Sequence, residues 1–140
     1  MVTTFEARLA GWNRLRHQVA DMPVYAALVT INAWWFRAPW CAYHLHWDDQ
    51  HNWPDPWQLL EDNLFCEVAR GLGILYTITL LNRPDIADAE LVLTKDDRNL
   101  VLVGQSKYIL NWNEEVVVNS SQPVEIIKRV HQSGLASQYK

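Results

Sequence analysis

The amino-terminal residues have the apolar spacing of an amphipathic helix. Apolar side chains recur there every three or four positions, at Phe5, Leu9, Trp12, Leu15 and Val19. This spacing places them on one face of an α-helix. Thr3 and Glu6 stand in front of the run at the spacing of a capping box. The pattern therefore predicts a helix over residues 4–20.

A second helix is predicted over residues 23–37. Pro23 suits the first turn of a helix. Pro39 marks the end of the segment, because the residue before a proline is disfavoured in the helical conformation. The β-branched residues at 29–31 leave a strand open as the alternative. Residues 1–37 are thus expected to form a helical amino-terminal part.

Residues 38–56 have the composition of a long loop. They contain three prolines, three histidines, three aspartates and three tryptophans. A short extended piece is expected at 41–47. Loops of this length inside a compact domain are usually functional or face a partner. This Trp/His/Asp-rich segment is therefore a candidate binding surface.

A central helical segment is predicted over residues 57–82. Asp55 can cap it, and Gln58 stands where a capping box needs a glutamine or glutamate. A break is expected near Asn63. The apolar run at 73–82 fits either the end of this helix or a buried strand.

Residues 83–140 have the pattern of an antiparallel meander followed by a terminal helix. Four short β-rich runs are separated by turn signals: AELVLTK, NLVLVGQ, KYILNW and EEVVVN. The segment PVEIIKRVHQ predicts a closing helix that starts at Pro123. Helices first and strands later indicate one α+β domain over residues 1–140, with its amino-terminal helices packed on one side of the sheet.

The charge of the chain argues against nucleic acid and anionic membranes as binding partners. The 140 residues carry a net charge of −4, and the basic residues are scattered along the sequence. Such a surface is not expected to bind nucleic acid or an anionic membrane.

No apolar run reaches the roughly 18 residues of a membrane span, and the first residues lack the apolar stretch of a signal peptide. The expectation is a protein made in the cytoplasm.

Tryptophan is the most unusual feature of the composition. Six of the eight tryptophans lie between residues 34 and 57, and tryptophan is enriched at the centres of protein interfaces. The interface candidates lie in or next to the loop: Trp40, Trp47, Trp53 and Trp57. The alternative is that most of these rings face the core. Tryptophans among Asp, Asn and His could also stack on sugar rings, which leaves a carbohydrate- or small-ligand-binding module open.

A metal site is one interpretation of the histidines in the loop. His44 and His46 project to the same face if the segment is extended, and His51 follows after two aspartates. Imidazole and carboxylate groups suit zinc, iron or manganese. The other interpretation of the same pattern is a polar surface without a metal.

Cys66 is the candidate nucleophile. A tryptophan-proline segment, WPDPWQLL, is followed by FCEVA, then AELVL, then YILNW. This ordered set resembles the bacterial transglutaminase-like cysteine peptidases, within the wider papain-like group. The resemblance implies that fold, with Cys66 as the nucleophile and Glu67 as the acidic residue behind it. It also implies Glu90 at the position of the catalytic histidine and Asn111 in place of the aspartate that orients the histidine.

The departures from that family predict a protein that has lost the reaction. Leu64 and Phe65 replace the Gly-Asp that precedes the family's cysteine. A glutamate such as Glu90, whose ordinary pKa is about 4.3, is a poor proton acceptor for a thiol whose ordinary pKa is about 8.5. Cys66, Glu90 and Asn111 are therefore expected to be vestigial. The alternative is an active transglutaminase-like peptidase that uses Cys66 with a histidine from elsewhere.

A second resemblance indicates a role in an assembly. The segment NWPDPWQLLEDN followed by LGILYTITLL is similar to small proteins encoded among the virion genes of tailed bacteriophages. That resemblance implies a structural component of the neck, tail or baseplate, made in the host cytoplasm and located in the virion. It implies other protein subunits as partners. No cofactor is expected.

Overall fold

The computed structural model describes residues 4–42, 44–118 and 125–136. The described residues form an α+β fold, with the larger helices before the strands. The helices are α1 (Phe5–Val19), α2 (Val24–Phe36), α3 (Pro56–Asp62), α4 (Glu67–Leu81) and α5 (Gln132–Ala136), with 3₁₀ turns at Trp47–Asn52 and Pro84–Ile86. The strands are β1 (Glu90–Thr94), β2 (Asn99–Val103), β3 (Tyr108–Leu110), β4 (Val117–Val118) and β5 (Ile126–His131).

Helices α1 and α2 begin and end close to the predicted positions. Thr4 caps α1, because its side-chain oxygen accepts a hydrogen bond from the backbone N–H of Ala7 at 3.1 Å. Thr3, the predicted capping residue, lies outside the described residues. The strand alternative at 29–31 is wrong, since all three residues lie inside α2.

The central segment is two helices rather than one. Asp55 caps α3 by accepting a hydrogen bond from the N–H of Gln58 at 2.8 Å. The helix ends at Asp62, and Asn63 follows it as the C-cap in the left-handed conformation (φ 52°). Asparagine tolerates that conformation better than most residues, so the predicted break is confirmed. The ambiguous run at 73–82 belongs to α4 up to Leu81 and is helical.

The sheet has five antiparallel strands in the order β4-β3-β2-β1-β5. Strands β1 to β4 form the predicted meander. The predicted terminal helix is wrong in part: residues 126–131 of PVEIIKRVHQ form β5, which pairs with β1, and helix begins only at Gln132. Pairing with β5 occupies the backbone groups that β1 would otherwise expose as an edge strand. Pro123 lies outside the described residues.

Helix α4 is the centre of the molecule. It contacts β1 and β2 on one face of the sheet and also contacts α1, α2 and α3. Its close approach to the sheet depends on Gly71, where a Cβ would lie 2.7 Å from the Leu91 side chain. The opposite face of the sheet carries a second buried cluster, formed by Val92, Leu100, Leu102 and Ile109.

The core beside α4 is organised around one hydroxyl group. Thr77 accepts hydrogen bonds from the indole N–H groups of Trp12 and Trp35, each at 2.9 Å. Its own hydroxyl donates to the carbonyl of Gly73 at 2.7 Å. The Trp35 ring lies directly over Gly73, where a Cβ would approach it to 2.5 Å. Within the described residues, no helix is long and apolar enough to cross a membrane.

Candidate interaction site at the amino end of helix α4

Cys66 lies at the N-cap position of α4, with extended backbone angles (φ −84°, ψ −179°). Its side chain is buried in the main core, with 4% of the residue exposed. Among the described residues, no histidine forms a hydrogen bond with its sulfur. The thiol therefore has neither open access to solvent nor the imidazole that a cysteine nucleophile uses as its base.

Cys41 is the neighbour of Cys66 across a short backbone bridge. Trp40 and Phe65 form a parallel β-bridge, and the N–H of Cys41 donates to the carbonyl of Phe65 at 3.0 Å. Both cysteines are free. Burial raises the pKa of the Cys41 thiol, and the negative charge that Cys66 would carry as a thiolate raises it further.

A buried polar network joins α4 to the sheet just behind Cys66. The Glu67 carboxylate accepts hydrogen bonds from the backbone N–H of Asn99 at 2.6 Å and from Arg98 Nε at 3.1 Å. The fully buried Asn111 donates to the backbone carbonyls of Glu67 at 2.9 Å and Asn99 at 2.7 Å. Its side-chain oxygen accepts a hydrogen bond from Arg70 Nε at 2.6 Å. These hydrogen bonds hold the side chains of Arg70 and Arg98 in place through their Nε atoms.

The two arginines face a patch of aromatic rings at the surface. The Arg70 guanidinium carbon lies 3.6 Å from the ring centre of Phe36 and 5.0 Å from that of Trp40. The Arg98 guanidinium lies 5.7 Å from the ring of Trp112. Trp40 is 58% exposed and Trp112 is 45% exposed. We call Phe36, Trp40, Arg70, Arg98 and Trp112 the arginine–aromatic surface.

Arg70 is the central residue of this surface. Burial lowers its pKa, and the nearby carboxylate of Glu67 partly opposes that shift. The ordinary pKa of arginine is so high that the guanidinium stays charged. Its Nε is bonded to Asn111, whereas its terminal amino groups have no hydrogen-bond partner among the described residues. Those donors are therefore available to a carboxylate or carbonyl from outside.

The structure separates the residues predicted to form a vestigial catalytic set. Cys66, Glu67 and Asn111 lie together at the amino end of α4. Glu90 lies at the start of β1 on the opposite face of the sheet, beside Val92, and forms an ion pair with Arg129 at 3.3 Å. The side chain that shares the network with Asn111 and Glu67 is Asn99, which the sequence patterns did not single out.

A signal for Asn99 did exist in the sequence. Asn99 begins one strand and Asn111 directly follows the next, so a hairpin of these strands brings them to the same end of the sheet. The observed register, with Val101 opposite Leu110, has this consequence. The pairing of these two predicted strands would have been a better guide than the order of motifs along the chain.

The four tryptophans predicted as interface residues divide into two groups. Trp47 and Trp53 pack edge to face with ring centres 5.3 Å apart, and their indole N–H groups donate to Asn99 and to the carbonyl of His46, each at 2.6 Å. Trp40 and Trp57 are exposed, at 58% and 41%. Only Trp40 belongs to the arginine–aromatic surface. Trp112, which does belong to it, was not predicted.

The histidines of the loop do not converge on a common point. His51 Nε2 lies 3.9 Å from the Asp49 carboxylate, in an exposed pair. His44 and His46 precede the 3₁₀ turn at Trp47–Asn52, and His46 is extended (φ −118°, ψ 143°). Within the described residues, no group of three histidine, cysteine, aspartate or glutamate side chains could hold a metal ion.

The amino end of α4 presents exposed indole rings and guanidinium groups that hydrogen bonds hold in place. None of the histidines in the described residues forms a hydrogen bond with the Cys66 thiol. In comparisons with known proteins, the chain matches no family model, no curated protein and no solved structure.

Proposed function

We propose that the chain is a non-catalytic structural protein that joins other protein subunits through the arginine–aromatic surface. The observation that carries the proposal is the pair of exposed indoles, Trp40 and Trp112, beside guanidinium groups held by a buried network. Tryptophan and arginine are the residues most often found at the energetic centres of protein interfaces. A surface whose arginines are already fixed loses little side-chain entropy on binding.

The surroundings of Cys66 support a role without catalysis. A thiol needs a base that can accept its proton, and the nearby side chains in the polar network are those of Asn99, Asn111 and Glu67. The amides of Asn99 and Asn111 cannot accept a thiol proton. Glu67 is already engaged by Arg98 and Asn99. An active peptidase would need a histidine within hydrogen-bond reach of the Cys66 sulfur.

We further propose that the assembly is the virion of a tailed bacteriophage, at its neck, tail or baseplate, and that the scaffold is a degenerate transglutaminase-like domain. The support for the scaffold is the order of motifs, together with a cysteine at the start of α4 and Asn111 directly after an adjoining strand. Loss of the base would leave such a scaffold free for an architectural role.

Site-specific photo-crosslinking tests the surface. A benzophenone amino acid is placed at position 40 or 112 in the full chain, and at position 127 as the control, because Ile127 is 59% exposed and lies on β5. The variants are expressed together with the other virion genes of the same phage. We expect crosslinks to another virion subunit from positions 40 and 112 and none from position 127.

Two outcomes would contradict the proposal. Equal crosslinking from all three positions would show that the arginine–aromatic surface is not special. Absence of the chain from gradient-purified phage particles, measured by mass spectrometry against the major capsid protein, would remove the virion location. Hydrolysis of a peptide by the purified wild-type chain but not by Cys66→Ala would instead support the peptidase alternative.

A further inference from the structure

A cavity of about 480 Å³ lies between the carboxyl end of α2, helix α1 and the α3–α4 junction. Its walls are largely apolar and include the side chains of Trp34, Trp35, Leu60 and Phe65. Trp34 and Trp35 meet edge to face with ring centres 4.9 Å apart, and Trp35 is buried and held by its indole hydrogen bond to Thr77. The volume falls within the range of about 300–1,000 Å³ that is usual for small-molecule sites.

Among the described residues, the lining of this cavity carries two positive charges and no negative charge. Arg8, Arg37 and Asn63 are the charged or amide side chains in its lining. Arg8 is held in place because its Nε donates to the carbonyl of Leu60 at 2.8 Å. Arg37 is exposed, and its side chain has no hydrogen bond or ion pair within the described residues. An anionic group in the cavity would therefore meet a guanidinium that is still free to bind it.

We propose that this cavity is a binding site for a small aromatic carboxylate. The flat ring system would lie against Trp34 and over the apolar floor of Phe65 and Leu60. The carboxylate would accept hydrogen bonds from Arg37 at the mouth, in the bidentate geometry that a guanidinium offers. None of the cavity residues belongs to the arginine–aromatic surface, although the two sites are neighbours, because the backbone of Trp40 pairs with that of Phe65.

The chemical class of the ligand follows from the lining of the cavity, which combines a largely apolar wall with a cationic side chain at the mouth. A sugar would leave most of its hydroxyl groups unpaired against Trp35, Phe65 and Leu60, which costs free energy. A purely apolar ligand would leave Arg37 unused, and a polyanion would find too few donors. A single anionic group on an aromatic body satisfies both parts of the cavity.

Calorimetry with 2-naphthoate and the uncharged 2-naphthamide tests the proposal on the full chain. We expect naphthoate to bind one site with a Kd between about 10 µM and 1 mM, as the number of its non-hydrogen atoms allows. The amide should bind about tenfold more weakly, because it lacks the charge that pairs with Arg37. Chemical-shift changes of the tryptophan indole N–H signals should locate the bound ring at Trp34 and Trp35.

Three variants separate the site from a general effect of charge or fold. Arg37→Gln should weaken naphthoate binding about tenfold and leave naphthamide binding unchanged. Lys107→Gln removes the same charge from the β2–β3 turn and should leave both Kd values unchanged. Ala38→Phe places a ring in the cavity and should abolish binding of both compounds.

The proposal would be overturned by any of three results. These are no saturable binding of naphthoate up to millimolar concentrations, equal affinity for the acid and the amide, and equal weakening by Arg37→Gln and Lys107→Gln. If Ala38→Phe fails to fold, as judged by its thermal unfolding, the comparison of Arg37→Gln with Lys107→Gln still decides. The naphthoate results for the wild type, Arg37→Gln and Lys107→Gln do not bear on crosslinking from positions 40 and 112.

Discussion

Thr77 shows how much one buried side chain can determine in a small core. Its hydroxyl group is the shared hydrogen-bond acceptor for two buried indoles, those of Trp12 and Trp35. A buried N–H without a partner costs free energy, because it has given up its bond to water. Thr77 thus allows two large polar-tipped rings to pack in the interior of the same domain.

Replacing Thr77 by valine should destabilise the protein strongly. Thr77→Val keeps the shape of the side chain but removes the acceptor for both indoles, which should lower the free energy of unfolding by about 2–4 kcal/mol. Urea unfolding followed by circular dichroism measures the change. Thr77→Ser is the matched control, since it keeps the hydroxyl and should cost about 1 kcal/mol for the lost methyl. Equal losses in the two variants would contradict the role of the hydroxyl.

The two thiols should be slow to alkylate in the native protein. Cys66 is buried, and burial raises the pKa of Cys41 so that less of it is thiolate at neutral pH. In Cys41→Ser, labelling of Cys66 by iodoacetamide at pH 7 should run at least about tenfold slower than in urea. In Cys66→Ser, labelling of Cys41 should accelerate as the pH rises above about 8. Native labelling of Cys66 as fast as in urea would indicate an accessible nucleophile and would contradict the non-catalytic proposal.

At the scale of elements, two glycines in α4 allow neighbouring elements to pack directly against the backbone of this helix. Gly71 admits the sheet at Leu91, and Gly73 admits the ring of Trp35. Glycine inside a helix is normally unfavourable relative to alanine by about 1 kcal/mol. Here that cost is offset by the close packing of the most central helix.

Gly73→Ala should therefore destabilise the protein although alanine is the better helix former. A methyl group at position 73 would meet the Trp35 ring, and overpacking of this kind costs about 1–3 kcal/mol. Gly134→Ala in α5 is the matched control, because among the described residues, apart from its chain neighbours and its own helix backbone, no atom lies within 4 Å of the added Cβ. It should be neutral or slightly stabilising. Thermal unfolding of the two variants and the wild type gives the comparison, and a stabilised Gly73→Ala would refute the packing argument.

The elements that the sequence predicted well are those with local signals. The cap at Asp55 and the break at Asn63 depend on side chains within four residues of the backbone they affect. The start of α1 was predicted for the same reason, although the residue that caps it is Thr4 and not the predicted Thr3. Strand β5 was predicted as helix because Ile126, Ile127 and Val130 also fit helical spacing. Its pairing with β1, about forty residues earlier along the chain, decides the outcome. Only this contact between distant parts of the chain decides whether the segment forms a strand or a helix.

The candidate site was less predictable than the fold, for the same reason. Sequence patterns identified Trp40 and Asn111 but could not tell the exposed Trp40 from the largely buried Trp53. The exposure of a loop tryptophan depends on partners such as Asn99, which lies 52 residues from Trp47. Arg70 and Trp112 carried no motif of their own. They come to the same site only because Arg70 of α4 hydrogen-bonds with Asn111, which directly follows β3 and precedes Trp112.

At the scale of the whole molecule, Arg83 ties the amino-terminal helices to the segment that leads into the sheet. Its guanidinium donates to the carbonyl of Val19, the last residue of α1, at 3.1 Å and to that of Met22, in the α1–α2 connection, at 2.7 Å. It also binds Asp85 at 2.7 Å. The hydrogen bond from Arg83 lowers the pKa of Asp85, so folding and protonation of this carboxylate are coupled.

The sign of that coupling gives a pH prediction. A lowered pKa means that the unfolded state takes up the proton more readily, so the stabilisation is complete above the unfolded pKa of about 3.9 and is lost as the pH falls through the folded value. Asp85→Asn should therefore have a lower Tm than the wild type at pH 7. The gap should be small, since the pair is partly exposed, and should close near pH 2. Glu114→Gln, an exposed carboxylate, is the control; a gap that persists at pH 2 would contradict the coupling.

The contact between Gly73 and Trp35 has a consequence for how this sequence can diverge. The space above position 73 is filled by a ring from position 35, so neither residue can change freely while the other stays. Homologues that carry alanine or serine at 73 should have exchanged the tryptophan at 35 for a smaller side chain. Position 77 would then serve only one indole, and its hydroxyl could be lost as well. These three positions should covary as a group, and their shared history would be visible in an alignment of homologues before any of them was mutated.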